Sequence, residues 1–269
     1  MKPSDQFTVC GLFYGNHPEI ADRCLETFER TLARGIPVAD IRFALNQVCD
    51  HTARKVESFL VKASRLGIPG RLFSSEENRC KYPVMRRMFR QSDRPLAPWV
   101  MWFDDDTWWG PGATPDWWQE VTKAATGKLQ IGQIWTTPLS LTRQRFFLLT
   151  QPWWDGSLPV RVNSRGEPIT RFCQGAWWVL HRGVIEKYDW PVPELRHNGG
   201  DSMLGELLYR QGLRVGEFSK HLHINAGPSG RRSSSPRRGV TSHYLGNKPE
   251  DLYLDRSHQH FELQIKDFS

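Results

Sequence analysis

The sequence has no long apolar run. Its 269 residues contain no stretch of about 18 consecutive apolar residues, the length that a membrane-spanning helix requires. The N-terminal segment, residues 1–13, also lacks the apolar core of a secretory signal. We therefore expect a protein without a membrane span that works in the cytoplasm, or in the host cytoplasm if its source is a virus.

Cysteine is sparse. The five cysteines are widely spaced, their number is odd and no CxxC motif occurs; they stand at positions 10, 24, 49, 80 and 173. This pattern argues against a disulfide framework and indicates free thiols in a reducing compartment. Most of them are expected to be small buried core residues.

Three common catalytic motifs are missing as well. The sequence contains no GxxxxGK[ST], no GxSxG and no HExxH. The signatures of P-loop nucleotidases, α/β-hydrolases and zincins are therefore absent.

Positive charge and tryptophan are abundant. The formal net charge is +7 and the pI is about 9.3, so polyanions such as nucleic acids or nucleotides are favoured partners. Eight of the 12 tryptophans form Trp-Trp pairs, at 108/109, 117/118, 153/154 and 177/178. Neighbours in a strand point to opposite faces, which predicts one indole of each pair in the core and one at the surface, where it can stack on a sugar or base. The alternative is that most of them belong to the core or to covering loops.

Strand-like and helix-like segments alternate through the first hundred residues. The predicted strands cover residues 7–13, 41–45, 71–74 and 99–103. The helices between them begin with an Asn16 cap and Pro18, with an Asp50 cap, and near residue 79. This order predicts βαβ units and a Rossmann-like α/β fold, with a mainly parallel sheet flanked by helices in one compact domain.

The pattern is looser beyond residue 110. The predicted helices there cover 114–126 and 201–212, and the predicted strands cover 129–135, 143–150, 171–181 and 213–218. The segment 229–239, SGRRSSSPRRG, has no apolar residue and is expected to be a loop.

Three aspartates follow the fourth predicted strand, in WVMWFDDDTWW (99–109). Ligands of parallel sheets bind outside the carboxyl ends of the strands. Adjacent carboxylates repel one another, by about 1 kcal/mol in water and by more when partly buried. With side chains alternating along the chain, Asp104 and Asp106 point one way and Asp105 the other, which suits a divalent cation held by the first two. The alternative is a solvated acidic turn.

Two later segments carry further candidates. Asp201 follows two glycines at the start of a predicted helix, where it is either a general base or a helix cap, and Glu206 is expected to be solvated or structural. His221 and His223 lie on one face of an extended segment and are either metal ligands or ordinary histidines.

Basic side chains fall into two groups. Lys81, Arg86 and Arg87 can meet a diphosphate or form a solvated helix face. The arginines of the predicted loop can clamp a phosphate or a nucleic-acid backbone, or remain solvated; they are Arg231, Arg232, Arg237 and Arg238.

Taken in order, these segments resemble a glycosyltransferase of the A-type fold over about residues 7–225. FTVCGLFYGNHPEIADRCLETF is similar to the nucleotide-sugar-binding start of that superfamily, and WVMWFDDDTWW resembles the DxD segment of Fringe-like and related inverting enzymes. FCQGAWWVLHRGVIEKY is similar to the strand and helix that border the acceptor site. NGGDSMLGELLYRQGLRVG resembles the acidic segment, and HLHIN stands in the place of a metal-binding histidine.

The resemblance implies a metal-dependent, inverting hexosyl or pentosyl transferase. Residues 1–110 would form the donor half and residues 111–269 the acceptor half. Asp201 would be the catalytic base. The Mn²⁺ or Mg²⁺ ligands would be Asp104, Asp106, His221 and His223. The donor, expected to be a UDP-sugar, would meet Asp104, Asp105, Lys81, Tyr14 and Asn46. The acceptor would meet Trp108, Trp177, Arg231, Arg232 and Arg237.

The sequence departs from the family in two respects. The acidic segment that contains Asp201 reads DSM where related enzymes commonly carry a second acidic residue. In addition, no membrane anchor is expected. The acceptor is left open between a hydroxymethylated base in DNA, as for phage DNA-modifying glycosyltransferases, and a glycan or lipid-linked hydroxyl. A metal-dependent nuclease or phosphotransferase and a non-catalytic nucleic-acid-binding domain are alternatives, and the sequence assigns no oligomeric state.

Overall fold

The computed structural model describes residues 6–110, 117–138, 148–149, 151–154, 160–193, 195, 200–218, 222–224 and 264–269. The strands in these segments are β1 (Phe7–Gly15), β2 (Val38–Val48), β3 (Gly70–Ser75), β4 (Trp99–Asp104), β5 (Thr107–Trp109), β6 (Gln130–Pro138), β7 (Ile169–His181), β8 (Val215–Glu217), β9 (Leu222–Ile224) and β10 (Gln264–Phe268). The helices are α1 (Pro18–Leu32), α2 (Asp50–Arg65), α3 (Lys81–Arg90), α4 (Trp117–Thr126), α5 (Arg182–Lys187) and α6 (Gly200–Arg210).

Eight strands form one mixed sheet in the order β10-β3-β2-β1-β4-β7-β6-β8, and β5 pairs with β9 in a separate ribbon. The ladders from β3 through β2 and β1 to β4 are parallel, as is β6 with β8. The contacts of β7 with β4 and with β6, and of β10 with β3, are antiparallel. The predicted α/β architecture with a mainly parallel sheet is confirmed.

Both faces of the sheet are covered by core clusters, which explains why the central strands β1 and β4 are almost continuously apolar. The consecutive residues Trp177 and Trp178 of β7 point to opposite faces, and each is buried in a different core cluster. The expectation that one indole of each pair reaches the surface is therefore wrong for this pair. Both core clusters combine residues from before and after residue 110, for example Trp102 with Trp178 and Phe103 with Trp177.

The first two helices begin differently from their predicted caps. The N-cap of α1 is His17 rather than Asn16, and that of α2 is Cys49 rather than Asp50; neither forms a side-chain capping bond. Pro18 has no N–H that requires capping. Asp50 lies in the first turn of α2, where a negative charge is favourable to the helix dipole.

The later elements agree in part with their predictions. The strands β6, β7 and β8 and the helix α6 overlap the predicted segments, and α4 is observed from Trp117. The predicted strand 143–150 is wrong at Leu148 and Leu149, which are helical; its other residues lie outside the described part, as does the predicted loop 229–239. Strand β10 was not predicted because QIKDF, on the sheet edge, is short and largely exposed.

A buried ion pair lies near the amino ends of the parallel strands. The Arg42 side chain is 0% exposed, and its Nε donates to Asp40 at 2.6 Å while its Nη1 donates to the carbonyl of Met88 at 2.8 Å. Asp40 also accepts a bond from the Thr8 hydroxyl. This network joins β1 and β2 to the end of α3. It lies at the amino edge of the sheet, whereas the acidic turn lies at the carboxyl edge.

A second buried network lies in the later half. The carboxylate of Glu206, in α6, accepts bonds from Arg161 Nη2 at 2.8 Å, from Arg210 Nε at 3.0 Å and from the backbone N–H of Arg171 at 2.6 Å. Of the two expectations for Glu206, the structural one is confirmed, because this buried side chain joins α6 to β7 and to the segment before it.

The described helices include none that is long and apolar enough to cross a membrane. All five cysteines are free, and all but Cys49 are buried, as predicted.

Candidate active site at the carboxyl end of β4

The acidic turn lies where the order of the strands reverses. β1 has β2 on one side and β4 on the other, both parallel to it; the chain runs outward from β1 through β2 to β3 and then crosses back to place β4 on the other side of β1. Such a switch point opens a crevice at the carboxyl edge, which is the usual ligand site of an open α/β sheet. Asp104, the last residue of β4, pairs with Leu12 of β1 and therefore stands at this crevice.

Asp105 attaches the turn to β1. Its side chain is buried, its Oδ2 accepts a bond from the backbone N–H of Tyr14 at 2.8 Å, and its own N–H donates to Leu12 at 3.1 Å. The strand ends at Asp104, so the expected alternation of the three side chains does not continue into the turn at Asp105 and Asp106. The observed contact of Asp105 shapes the turn, and its predicted contact with the donor stays a prediction.

Asp104 is held by two donors. Its Oδ2 accepts a bond from Lys81 Nζ at 2.7 Å, and its Oδ1 accepts one from Trp102 Nε1 at 2.9 Å. A carboxylate oxygen has two lone pairs, so each oxygen keeps one acceptor position for a further ligand. Asp104 therefore fits a metal or donor contact that leaves the Lys81 ion pair in place.

Lys81 connects three elements of the site. It is the first residue of α3 and is 8% exposed, which excludes a solvated helix face for this residue. Its ammonium group contacts Asp104 of β4 and also donates to the carbonyl of Gly175 in β7 at 2.8 Å. Arg86, five residues later, instead bonds to Asp189 and to the Pro191 carbonyl.

Asp201 reaches the same cluster from α6. Its Oδ1 accepts a bond from the Tyr82 hydroxyl at 3.0 Å. Burial raises the pKa of Asp201 above the ordinary aspartate range, and the positive charge of Lys81, the Tyr82 bond and a backbone bond from Gly175 act in the opposite direction. Burial also raises the pKa of Tyr82 well above its usual value, so this hydroxyl stays protonated and donates. A carboxylate with a raised pKa is a better proton acceptor.

Two glycines make room for these side chains. A Cβ on Gly175 would overlap the Asp201 carboxylate, and a Cβ on Gly200 would overlap the ring of Tyr82. Sequence reasoning selected Asp104, Lys81 and Asp201 but missed Tyr82 and Gly175. The position of Tyr82 directly after Lys81 was a weak local signal, whereas nothing local marks Gly175.

Asn46, predicted to bind the donor, has observed contacts of another kind. It is buried at the end of β2; its Nδ2 donates to Asn78 Oδ1 at 3.0 Å and its Oδ1 accepts from the backbone N–H of Arg79 at 2.8 Å. These contacts hold the segment that leads into α3. Tyr14, the other residue assigned to the donor, lies at the end of β1 and bonds to Asp105 through its backbone.

The predicted metal ligands are only partly in the described segments. Asp106 lies in the turn after Asp104, and the backbone of His223 pairs with that of Trp108, two residues beyond Asp106. His221 and the side chain of His223 lie outside the described residues. The described side chains include no group of three or more His, Cys, Asp or Glu that would hold a metal. Among the predicted ligands, the carboxylates are of the type that suits Mg²⁺ or Mn²⁺.

The predicted acceptor residues differ in their exposure. Trp177 is 0% exposed and packs against Phe103 and Trp109, so its ring offers no face to an acceptor, and that assignment is corrected. Trp108 is partly buried, with the Arg23 guanidinium 5.2 Å from its ring centroid. The three predicted acceptor arginines lie outside the described residues; they are Arg231, Arg232 and Arg237.

Comparisons with known proteins give structural matches alone. No protein-family model matches the chain, and no curated protein sequence matches it. One similar solved structure is the mannosyltransferase PcManGT from Pyrobaculum calidifontis in complex with GDP-Man and Mn²⁺, with a TM-score of 0.49 and 14% identity over 77% of this chain and 53% of that chain. S. aureus TarS is similar with a TM-score of 0.47 and 9% identity, over 91% of this chain and 41% of that chain. A shorter form of TarS, residues 1–349, is 12% identical over 91% of this chain and 67% of that chain, also with a TM-score of 0.47. The chain thus spans about half the length of the first two proteins.

Proposed function

We propose that this protein is a metal-dependent glycosyltransferase that moves a sugar from a nucleotide-sugar donor to an acceptor hydroxyl. The observation that carries the proposal is the meeting of Asp104, Lys81 and Asp201 at the switch-point crevice of the sheet. One carboxylate there follows the central strand β4, and the other is buried with a raised pKa. This arrangement suits a donor site beside a general base.

The two carboxylates have separate roles in this proposal. Asp104 and Asp106, with His221 or His223, hold Mn²⁺ or Mg²⁺, which supplies Lewis-acid stabilisation of the leaving diphosphate when bound. Lys81 keeps Asp104 in place and adds positive charge on the donor side. We assign the nucleotide as uridine diphosphate on the sequence resemblance.

Asp201 performs the proton transfer. The acceptor hydroxyl gives its proton to the Asp201 carboxylate while its oxygen forms a bond to the anomeric carbon of the donor. The bond from that carbon to the diphosphate breaks, and its electron pair leaves with the nucleoside diphosphate. Attack opposite the leaving group inverts the anomeric configuration.

We propose a hydroxymethylated DNA base as the acceptor, in a cytoplasmic setting. The formal charge of +7 supports this choice because a positive protein surface attracts the phosphate backbone. A glycan or lipid-linked hydroxyl would use the same chemistry, and glycosyl-transfer assays on hydroxymethylated and unmodified DNA, side by side with glycan acceptors, separate these substrates.

The first prediction concerns the donor. In a thermal-shift screen of nucleotide sugars, one nucleotide class with Mn²⁺ should raise the melting temperature by about 5 °C at a concentration of about 100 Kd, because a ligand of the folded state stabilises it. Asp106→Ala should lose the metal-dependent part of this shift and the transfer activity. Asp93→Ala, which removes an exposed aspartate, is the matched control.

Full transfer activity in Asp106→Ala would overturn the assignment of the acidic turn. Cleavage of DNA or transfer of a phosphoryl group, without any use of nucleotide sugars, would instead establish the nuclease or phosphotransferase alternative. DNA binding alone, undiminished by Asp104→Ala, would favour a non-catalytic domain.

A further inference from the structure

The first turn of α3 touches both carboxylates of the site. Lys81, its first residue, forms the 2.7 Å ion pair with Asp104. Tyr82, its second residue, donates its hydroxyl to Asp201 at 3.0 Å. Two neighbouring residues of one helix therefore set the positions of a donor-side group and of the proposed base, which come from distant parts of the chain.

The Tyr82 side chain is enclosed. It is 2% exposed, its ring packs edge-on against Trp190 with 5.7 Å between centroids, and the Cα of Gly200 lies directly against it. Because the ring is fixed on these sides, the direction in which its hydroxyl donates to the Asp201 carboxylate is fixed as well.

The start of α3 is itself held in place. Cys80, which precedes Lys81, has a backbone φ of 63°, a value that residues other than glycine rarely adopt. The surrounding bonds maintain it, because Asn78 Oδ1 accepts bonds from the Cys80 N–H and from Asn46 Nδ2, each at 3.0 Å. The end of β2 thus fixes the turn from which Lys81 and Tyr82 extend.

We propose that Tyr82 is a positioning residue for Asp201: its hydroxyl holds Oδ1 of the carboxylate so that Oδ2 takes the proton of the acceptor hydroxyl. This inference rests on the proposed function, in which Asp201 is the base. Its geometric basis is the bond to an enclosed tyrosine on a helix start that also carries Lys81.

Several charged or titratable groups act on Asp201. They are Lys81 and Tyr82 from α3, Asp104 from β4 and Cys173 from β7. The Tyr82 hydroxyl stabilises the ionised carboxylate and lowers its pKa, opposing the effect of burial. Removing this hydroxyl should therefore raise the pKa of Asp201.

Tyr82→Phe removes the hydroxyl and keeps the ring. We expect kcat to fall about 10–100-fold with the KM for the donor unchanged, because a misplaced catalytic group slows the chemical step. The acid limb of the pH-rate profile should move to higher pH. Tyr188→Phe is the matched control, since the Tyr188 hydroxyl bonds to Gln211 outside the site, and it should leave both quantities unchanged.

A second measurement does not need turnover. In protein labelled with ¹³C at the aspartate carboxyl groups, the resonance absent from Asp201→Asn identifies Asp201, and its titration reports the pKa. This pKa should be higher in Tyr82→Phe than in the wild type and unchanged in Tyr188→Phe.

The outcomes separate the two proposals. If the wild type transfers no sugar but the Asp201 pKa rises in Tyr82→Phe, the proposed function fails while the positioning contact stands. An Asp201 pKa that is unchanged in Tyr82→Phe would overturn the inference, whether or not kcat falls, because the hydroxyl would then not stabilise the ionised carboxylate.

Discussion

The two halves of the sheet are built in different ways. From β3 to β4 the strands are parallel and are connected through helices; β1, β2 and β3 are neighbours in sequence order, whereas β4 pairs with β1. From β7 to β8 the order is mixed, with β7 antiparallel to both β4 and β6. The first half places the acidic turn and Lys81 at the crevice, and the second half brings Asp201 and Gly175 to them. In the proposed function, the donor and base roles therefore belong to separate parts of the chain, and the first turn of α3 contacts both.

The strongest test of this division is Asp201→Asn. Transfer should fall about 10²–10⁴-fold, the usual contribution of a general base. Donor binding, which we assign to the acidic turn, Lys81 and the metal ligands, should persist, so the metal-dependent thermal shift should match that of the wild type. Loss of the donor shift in Asp201→Asn would contradict this division, because Asp201 would then belong to the donor site as well.

Substitutions in the two buried ion networks test whether the halves fold together. Arg42→Met leaves Asp40 buried without its partner, and Glu206→Gln removes the charge that pairs with Arg161 and Arg210. Each should cost about 3–5 kcal/mol and lower the melting temperature by on the order of 10 °C. We expect one shared transition in calorimetry, because each core cluster draws on both halves.

The exposed pair of Lys62 and Glu29 provides the control for these variants. Lys62→Met should change stability by less than about 1 kcal/mol, since surface ion pairs contribute little. Two separate transitions in the wild type, each sensitive to one of the two buried substitutions, would establish two independent folding units instead of the single domain that we propose.

The smallest expected effect is a pH-dependent gain in stability in Asp201→Asn. Burial raises the pKa of Asp201 in the folded protein, so the folded state favours the protonated carboxyl. That preference is present at low pH and is lost as the pH rises through the folded pKa. As the pH rises from the lowest value at which both proteins are folded to pH 8, the melting temperature of Asp201→Asn should therefore increase relative to that of the wild type. A difference that is constant across this range would contradict the raised pKa.

Sequence patterns predicted most elements up to β4. The apolar strands, the helical spacing from Ile20 to Leu32 and the acidic triplet at the end of β4 are local features, and local features determine secondary structure. The same patterns failed at Leu148 and Leu149 and at β10, where the local signal is short and weak.

By itself, the sequence determined the α/β class, the parallel core and the position of Asp104 at the end of a central strand. The tertiary structure alone decided that Trp177 is buried against Phe103 and Trp109, that Asp105 bonds to β1, and that Tyr82 and Gly175 lie against Asp201. The physical reason is range: periodicity and capping act over a few residues, whereas Tyr82 and Asp201 meet across 119 positions of the chain through the packing of α3 and α6 on one sheet.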